Sequence, residues 1–302
     1  MASYFAQCVN FDGEVLGNLQ IEKSEKRRCL WSIYVLQHLQ GDSIQTSKLM
    51  AGMRTPFNTG SGLSQSYEPH RIPEYPRISS SSSHEGMDLM SYTVQLAEVW
   101  SLAMAYAASR VGPDTPPPWS LHSDYSIVTY QHTEFDCRVP LVYRYHANRF
   151  RDHSLSQLDE HRDFWCAWLF LQFVYEALPC LLNHPFLLSM RLRNFRHTLP
   201  QSFIKQSFDR ITYHSAWILH LIDIIDHKRF PVCDPTLAHC VVIVATIHLQ
   251  HSFVENPEFR EKARQGYIKC SLFLQRMGEI WPHVKNMVSV VTFVYKAGHA
   301  KY

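Results

Sequence analysis

The chain has 302 residues, of which 46% are hydrophobic and 19% are charged, with a formal net charge of +2. This apolar fraction excludes a largely disordered chain, and a globular chain of this length buries about 75% of its unfolded surface. The small net charge is far from the strongly basic balance that is typical of a dedicated nucleic-acid-binding domain.

The first predicted helix covers residues 24–40, where Ser24 precedes Glu25 and Gly41 follows the apolar face. Residues 41–83 contain scattered Gly and Pro residues and end in a run of five serines, with no sustained hydrophobic period. This composition predicts a long irregular loop that is partly disordered. Loops of this length are uncommon in compact domains and are often functional.

Helical signals dominate the rest of the chain, and strand signals are few. We therefore predict an all-α fold, a single large multi-helix domain over residues 1–302 that is interrupted by the loop at 41–83. The predicted helices cover residues 84–110, 119–135, 154–182 (capped by Ser154 or Ser156), 204–226, 236–250, 257–277 and 279–295.

The clearest periodicity lies in residues 204–226. Apolar or small residues recur there at steps of four and three, which predicts one face of an amphipathic helix. Further apolar residues widen this face, so we expect burial on two sides rather than a coiled-coil dimer. The stripe consists of Ile204, Phe208, Ile211, Ser215, Ile218, Ile222 and Ile225, widened by Trp217, Leu221 and Ile224.

One apolar run, residues 164–182, is long enough to span a bilayer. It contains Gln172 and Glu176 near its middle and Pro179 near its end. An acidic group at the centre of a span costs about 2.5–3.5 kcal/mol on the insertion scale. The run is therefore predicted to be a buried core helix, with no membrane contact.

The eight cysteines contain no C-x-x-C pair, and only Cys233 and Cys240 lie close together in sequence. This spacing does not fit the usual zinc-binding patterns. Most of the cysteines have apolar neighbours, which predicts buried, reduced thiols.

Three histidines and two aspartates are the strongest candidates for a metal site. His248 and His251 are three residues apart on one helix, with His239 and Cys240 upstream. Asp223 and Asp226 also share a helix face, which leaves a metal-dependent helical enzyme open as an alternative. We expect both sets to be ordinary polar faces, since neither has the further ligands that such a site needs.

No motif predicts catalysis. The chain has no G-x-S-x-G elbow, P-loop, G-x-G-x-x-G or H-E-x-x-H sequence. His161, Arg162 and Asp163 match three letters of a kinase catalytic loop, but the other kinase signatures are missing. We therefore expect no enzyme, no catalytic, cofactor-binding or metal-binding residues and no cofactor, and the ligand-binding residues are unknown.

Two basic clusters could contact nucleic acid. The first is residues 26–28, at the start of the predicted N-terminal helix. The second contains Arg191, Arg193 and Arg196 around Phe195. Basic residues interleaved with an aromatic ring can bind nucleic acid. With a net charge of only +2, we expect the second cluster to be a solvated loop.

Several segments resemble a known family when taken in order. Residues 25–37 (EKRRCLWSIYVLQ) resemble a signature of the fungal-specific transcription factor domain, the middle homology region of binuclear zinc-cluster regulators. The segments 118–125 (PWSLHSDY), 135–141 (FDCRVPL), 143–145 (YRY), 181–187 (LLNHPFL) and 274–282 (LQRMGEIWP) are similar to later blocks of that domain.

The resemblance implies a nuclear regulator of RNA polymerase II transcription, acting in a metabolic or secondary-metabolite pathway. It implies transcription regulators or a dimer partner as partners, and a small-molecule effector. Family members bind DNA through a zinc cluster whose cysteines this sequence lacks, so DNA contact is expected through a partner or through a cluster encoded upstream. The alternative is a helical small-molecule-binding module without a transcriptional role.

Overall fold

A computed structural model describes residues 35, 39, 89–112 and 114–289. In this part 80% of the residues are helical and none is in a strand, which confirms the all-α prediction. The loop predicted at 41–83 lies outside the described residues. So does the helix predicted at 24–40, apart from Val35 and Leu39, which are both helical.

The described helices follow the chain as α1 to α9, and three short 3-10 turns connect them. A further helical segment covers residues 282–289. The helices are α1 Leu89–Ala108, α2 Asp124–Arg138, α3 Tyr145–Asn148, α4 Leu155–Glu160, α5 Arg162–Leu182, α6 Pro185–Arg191, α7 Gln201–Lys228, α8 Pro235–His251 and α9 Pro257–Ile280.

Contacts between residues divide the chain into two units, Met1–Ser101 and Leu102–Tyr302, with the boundary inside α1. In the first unit the structure describes mainly the beginning of α1, where Leu96 and Ala97 are fully buried. The second unit contains the end of α1 and all of α2 to α9. A single domain over residues 1–302 stays a prediction.

Helix α5 is the centre of the second unit. Thirteen of its 21 residues are buried, including Trp165, Trp168 and Phe173. It packs mainly against α7 and α8, with α2 and α4 against its remaining sides. A helix that is apolar on nearly all sides is stable in water only when other elements cover it. This explains why the longest helices of the unit gather around α5.

The stretch Arg162–Arg191 is long and apolar enough to cross a membrane. No other stretch in the described part of the chain has this length and composition. Of its most apolar window, 72% is buried inside the protein. This burial agrees with the interpretation of residues 164–182 as a core helix.

One helix start and one helix end differ from the sequence prediction. Helix α2 begins at Asp124 rather than near residue 119, because the hydroxyl of Ser123 accepts a hydrogen bond from the amide of Ser126 and caps the helix. Ser154 does cap a helix, as predicted, and forms a capping box with Gln157. That helix ends at Glu160, however, so the single helix predicted over 154–182 is in fact α4 and α5.

The buried stripe of α7 agrees with the prediction from Ile211 onward and differs before it. In the first two turns Phe203 and Ser207 are buried, whereas Phe208 is 43% exposed. The helix begins at Gln201. In its first two turns, the buried positions lie one residue earlier in sequence than the regular spacing predicts. The later stripe is covered within the chain, which supports a core helix over a coiled coil.

Helices α8 and α9 have the most extensive contact of the described helix pairs, and Gly266 lies where they meet. A Cβ atom at position 266 would lie 2.9 Å from the ring of His248, well inside van der Waals contact. The His248 side chain is buried, and neither of its ring nitrogens has a hydrogen-bond partner among the described residues. The ring therefore fills the space above Gly266 as a packing group.

We expect Gly266→Ala to lower the free energy of unfolding by about 1–3 kcal/mol, the range for overpacking a filled core, despite the better helix propensity of Ala. Urea denaturation of the purified chain measures this change. The double variant His248→Ala/Gly266→Ala should lose less than the sum of the two single variants, because the clash needs both side chains. Strictly additive losses would contradict the proposed contact.

Candidate functional site

A polar cleft of about 210 Å³ lies between α2, α5 and α7. The cleft is open at Thr133 and closes against buried residues at its inner end. Its lining residues are Thr129, His132, Thr133, Asp136, Tyr175, Pro179, Leu182, Asn183, Arg210 and His214.

Helical spacing brings these side chains to one place. His132 and Asp136 are four residues apart on α2, and Arg210 and His214 are four apart on α7. Residues at this spacing lie one above the other on the same helix face. These faces of α2 and α7 meet α5 beside Pro179. Polar groups from three helices therefore line the same cleft.

Pro179 explains why a histidine side chain bonds to the backbone of α5. It lies inside α5 and has no N–H group, so the carbonyl of Tyr175, four residues earlier, receives no helical hydrogen bond. The imidazole of His132 supplies the missing donor, since its Nε2 lies 3.0 Å from that carbonyl oxygen. The His132 ring also stacks on the Tyr175 ring, with 4.4 Å between centroids.

This contact defines the state of His132. A carbonyl oxygen only accepts, so Nε2 carries the proton and Nδ1 keeps a lone pair. The pKa of His132 is lowered to about 4, mainly by burial and to a smaller extent by the nearby His214 and Arg210, against the opposing effect of the Tyr175 hydrogen bond. The ring is therefore neutral at neutral pH, a hydrogen-bonding group rather than a charge.

Glu176 and His214 form a second pair beside the cleft. His214 Nδ1 donates to Glu176 Oε2 over 2.7 Å, and both side chains are largely buried. Burial raises the pKa of Glu176, against the opposing effect of the His214 hydrogen bond. The pair holds the ring of His214 in a fixed orientation at the wall of the cleft.

Asp136 is the acidic group at the open side. Its carboxylate lies 3.7 Å from the guanidinium of Arg144, which also donates to the backbone carbonyl of Asp136. The side chain of Tyr175 is close enough to this carboxylate for the two to interact. Burial, followed by the charges of Asp136 and Glu176, raises the pKa of Tyr175, so its hydroxyl stays protonated.

A chain of hydrogen bonds closes the inner end. Arg210 donates from Nη1 to the hydroxyl of Tyr125 over 3.2 Å, and that hydroxyl donates to Asn183 Oδ1 over 2.8 Å. Asn183 Nδ2 donates in turn to the carbonyl of Pro179 over 2.9 Å. Such a chain fixes the position of each member more tightly than isolated bonds do.

The metal candidates of the sequence are not brought together. His239 lies near His283, His248 packs on Gly266, and His251 contacts Phe208. Within the described residues, no group of three or more His, Cys, Asp or Glu side chains is arranged to hold a metal ion.

Asp223 and Asp226 lie on the surface of α7 and face α9. Asp223 pairs with Lys269 at 2.7 Å, and Asp226 pairs with Arg276 at 2.5 Å. Their carboxylates are thus engaged by cations of a neighbouring helix. Arg162, from the kinase-like triplet, donates to the carbonyl of Pro231 and lies 3.8 Å from the carboxylate of Asp159.

Arg191 is not part of a solvated loop, and that prediction was wrong. Its side chain is 4% exposed and donates to the carbonyls of Tyr106 and Ser109 at the end of α1. It also lies over the Tyr106 ring, 4.3 Å from the centroid. The last carbonyls of a helix lack internal donors, and Arg191 satisfies them. Arg193 and Arg196 are exposed, as predicted.

Of the six described cysteines, three are buried, two are exposed and one, Cys166, is half-buried. Cys180, Cys240 and Cys270 are buried, and burial raises the pKa of each thiol, so these groups are inert. Cys137 and Cys233 are exposed, which differs from the general prediction of burial. Cys8 and Cys29 lie outside the described residues.

Sequence reasoning did not find the cleft. One signal was present, since a proline inside a strongly apolar helix leaves a carbonyl that needs a donor. The donor, His132, is 43 residues away in sequence. No local pattern connects the two positions.

Comparisons of the chain with models of protein families, with curated proteins and with solved structures find no match. The function of the chain is therefore inferred from its residues and their geometry.

We expect His132→Ala to lower the free energy of unfolding by about 1–3 kcal/mol, because it leaves the buried carbonyl of Tyr175 without a donor. Pro179→Ala restores a backbone N–H for the same carbonyl. His132→Ala should therefore cost less in the Pro179→Ala background than in the wild type, as a double-mutant cycle by urea denaturation would show. Equal costs in both backgrounds would contradict this pairing.

Stability should fall on acidification between pH 6.5 and about pH 4. Burial lowers the pKa values of His132, His184 and His248 from 6.5 to about 4, so the unfolded chain binds protons in this range and the folded chain does not. Each histidine can contribute up to about 3 kcal/mol. Glu176, with its raised pKa, acts in the opposite direction but is a single group.

Chemical denaturation across this pH range measures the effect. His184→Asn is the matched variant, because Asn also caps helices well but does not titrate. It should show a shallower pH dependence than the wild type. An unfolding free energy that stays flat between pH 6.5 and 4 would contradict the prediction.

Proposed function

We propose that the chain is the regulatory domain of a fungal regulator of RNA polymerase II transcription. It acts in the nucleus and responds to a small-molecule effector. In this proposal DNA is contacted through a partner protein, or through a zinc cluster that is not part of this chain. The domain itself performs no catalysis and contacts no membrane.

The observation that carries the proposal is the contact between two segments that resemble the family. Tyr125, at the end of segment 118–125, donates a hydrogen bond to Asn183, in segment 181–187. The two segments are far apart in sequence and meet at the inner end of the cleft. Residues that specify a shared scaffold are expected to contact one another in this way.

The family-like segments also form the ends of helices. Ser123 caps α2, and His184 caps α6 by accepting from the amide of Phe186. In segment 274–282, the Trp281 indole donates to the carbonyl of Cys233 over 2.7 Å. The segments thus determine where helices begin and end, which supports a resemblance of scaffold rather than of catalytic chemistry.

Regulation by an effector requires two states that the effector binds unequally. The cleft is suited to this role because α2, α5 and α7 each contribute to it. An effector that bridges these helices would favour the arrangement in which their polar groups converge. We propose that this arrangement exposes or masks a surface for a partner regulator.

The cleft also favours the second candidate, a helical small-molecule-binding module without a transcriptional role. Both candidate functions require the cleft to bind a small molecule. They differ in whether the chain changes transcription when it is held at a promoter.

Tethering tests the proposal directly. The full chain, fused to a heterologous DNA-binding domain, should change a reporter several-fold relative to that DNA-binding domain alone, either up or down. Asn183→Ala should abolish most of the change, because it breaks the contact between the two segments. Tyr130→Phe is the matched control, since Tyr130 lies on α2 and is 64% exposed.

A reporter that does not respond to the wild-type fusion, at normal protein levels, would reject the transcriptional role. Extraction of the purified chain and mass spectrometry would then test the second candidate. A bound small molecule in the extract would support it.

A further inference from the structure

Among the residues that the structure describes, Arg210 is the one guanidinium that lines the cleft, and no acidic partner of it lies within this part of the chain. It takes part in none of the ion pairs formed by the described residues. The side chain is half-buried and makes one hydrogen bond, from Nη1 to the neutral hydroxyl of Tyr125. A guanidinium has five N–H donors, so most of its hydrogen-bonding capacity is unused.

The two acids near Arg210 already have cationic partners or hydrogen-bond donors. Glu176 accepts from His214, and Asp136 lies beside Arg144 and the Tyr175 hydroxyl. Neither carboxylate lies within ion-pair distance of Arg210. A partly buried cation without a counter-ion is costly, and an anionic ligand would remove that cost.

The other lining groups complement a ligand that also donates a hydrogen bond. His132 Nδ1 keeps a lone pair because Nε2 is used by the Tyr175 carbonyl. The hydroxyls of Thr129 and Thr133 donate to carbonyls of their own helix, so their oxygens remain as acceptors. The cleft thus combines one free cation with several acceptors.

We propose that this cleft binds a small hydroxy or amino carboxylic acid, whose carboxylate pairs with Arg210. The hydroxyl or amino group then donates to the acceptors on α2. This inference rests on the proposed function, because such a molecule would be the effector of the regulatory domain. The planar fork of Arg matches the two oxygens of a carboxylate and gives the pair its geometry.

Size and charge narrow the ligand class. A cleft of about 210 Å³ holds a compact molecule and excludes a lipid-like one. Asp136 and Glu176 lie close by, so the site disfavours the two negative charges of a phosphate monoester. A single carboxylate with a neutral or positive neighbouring group fits both constraints.

Calorimetric titration of the full chain tests the proposal. The probes are lactate, glycerate, alanine and serine, with lactamide and alaninamide as counterparts without a carboxylate, and inorganic phosphate as the competing anion. We expect at least one acid to bind with a dissociation constant of about 1 mM or tighter. Its amide counterpart and phosphate should bind at least about tenfold more weakly.

Arg210→Gln should weaken binding of that acid about tenfold or more, while circular dichroism and the thermal midpoint without ligand stay near those of the wild type. Arg210→Lys keeps the charge but not the fork, and should bind with intermediate affinity. Arg196→Gln is the matched control, because Arg196 is exposed and lies outside the cleft lining.

Three results would overturn the proposal: no acid of the panel binds the wild type, phosphate binds more tightly than the acids, or Arg210→Gln binds like the wild type. The reporter assay separates this failure from failure of the proposed function. Binding without a reporter response rejects the transcriptional role alone. A reporter response without binding rejects the ligand class alone.

Discussion

The apolar surface of helix α5 must be buried on nearly all sides, and the other helices of the second unit bury it. Its buried aromatic and aliphatic residues include Trp165, Trp168 and Phe173. Burial of each such side chain contributes on the order of 2 kcal/mol or more. The positions of α2, α4, α7 and α8 follow from this requirement, because these helices provide the apolar surfaces that exclude water from α5.

The same helix contains two features that an apolar core does not tolerate without partners. Pro179 leaves the carbonyl of Tyr175 without a helical donor, and Glu176 carries a carboxyl group into a buried position. His132 on α2 and His214 on α7 satisfy them. The polar cleft is thus a consequence of the core helix, and the groups that line it are held by bonds that stability itself requires.

This arrangement also explains why Arg210 is different from its neighbours. The polar groups around it are engaged in defined bonds, from the Glu176–His214 pair to the link between Tyr125 and Asn183. Arg210 contributes one N–H donor to that network, and its other N–H donors have no bond to the described residues. A charge that lacks a partner, among groups already held in place by hydrogen bonds, is what a preorganised binding site needs.

Much of the fold could be predicted from local sequence, because helix formation, capping and chain breaks depend on neighbours within a few residues. The all-α class, the capping role of Ser154 and the buried nature of residues 164–182 followed in this way. The break at His161 and the shifted stripe at the start of α7 did not, since tertiary packing selects the face that a helix buries.

Local sequence was enough to specify a helical chain with a strongly apolar central helix and a proline inside it. Which distant side chains contact that helix depended on the tertiary packing. Arg191 illustrates this, because its guanidinium satisfies carbonyls more than 80 residues away and is buried in spite of its charge. The contacts of His132 and Arg210 also join residues that are far apart in sequence, by 43 and 85 positions. The sequence pattern shows which residues share a helix face. Which residues of other helices they contact depends on how those faces pack.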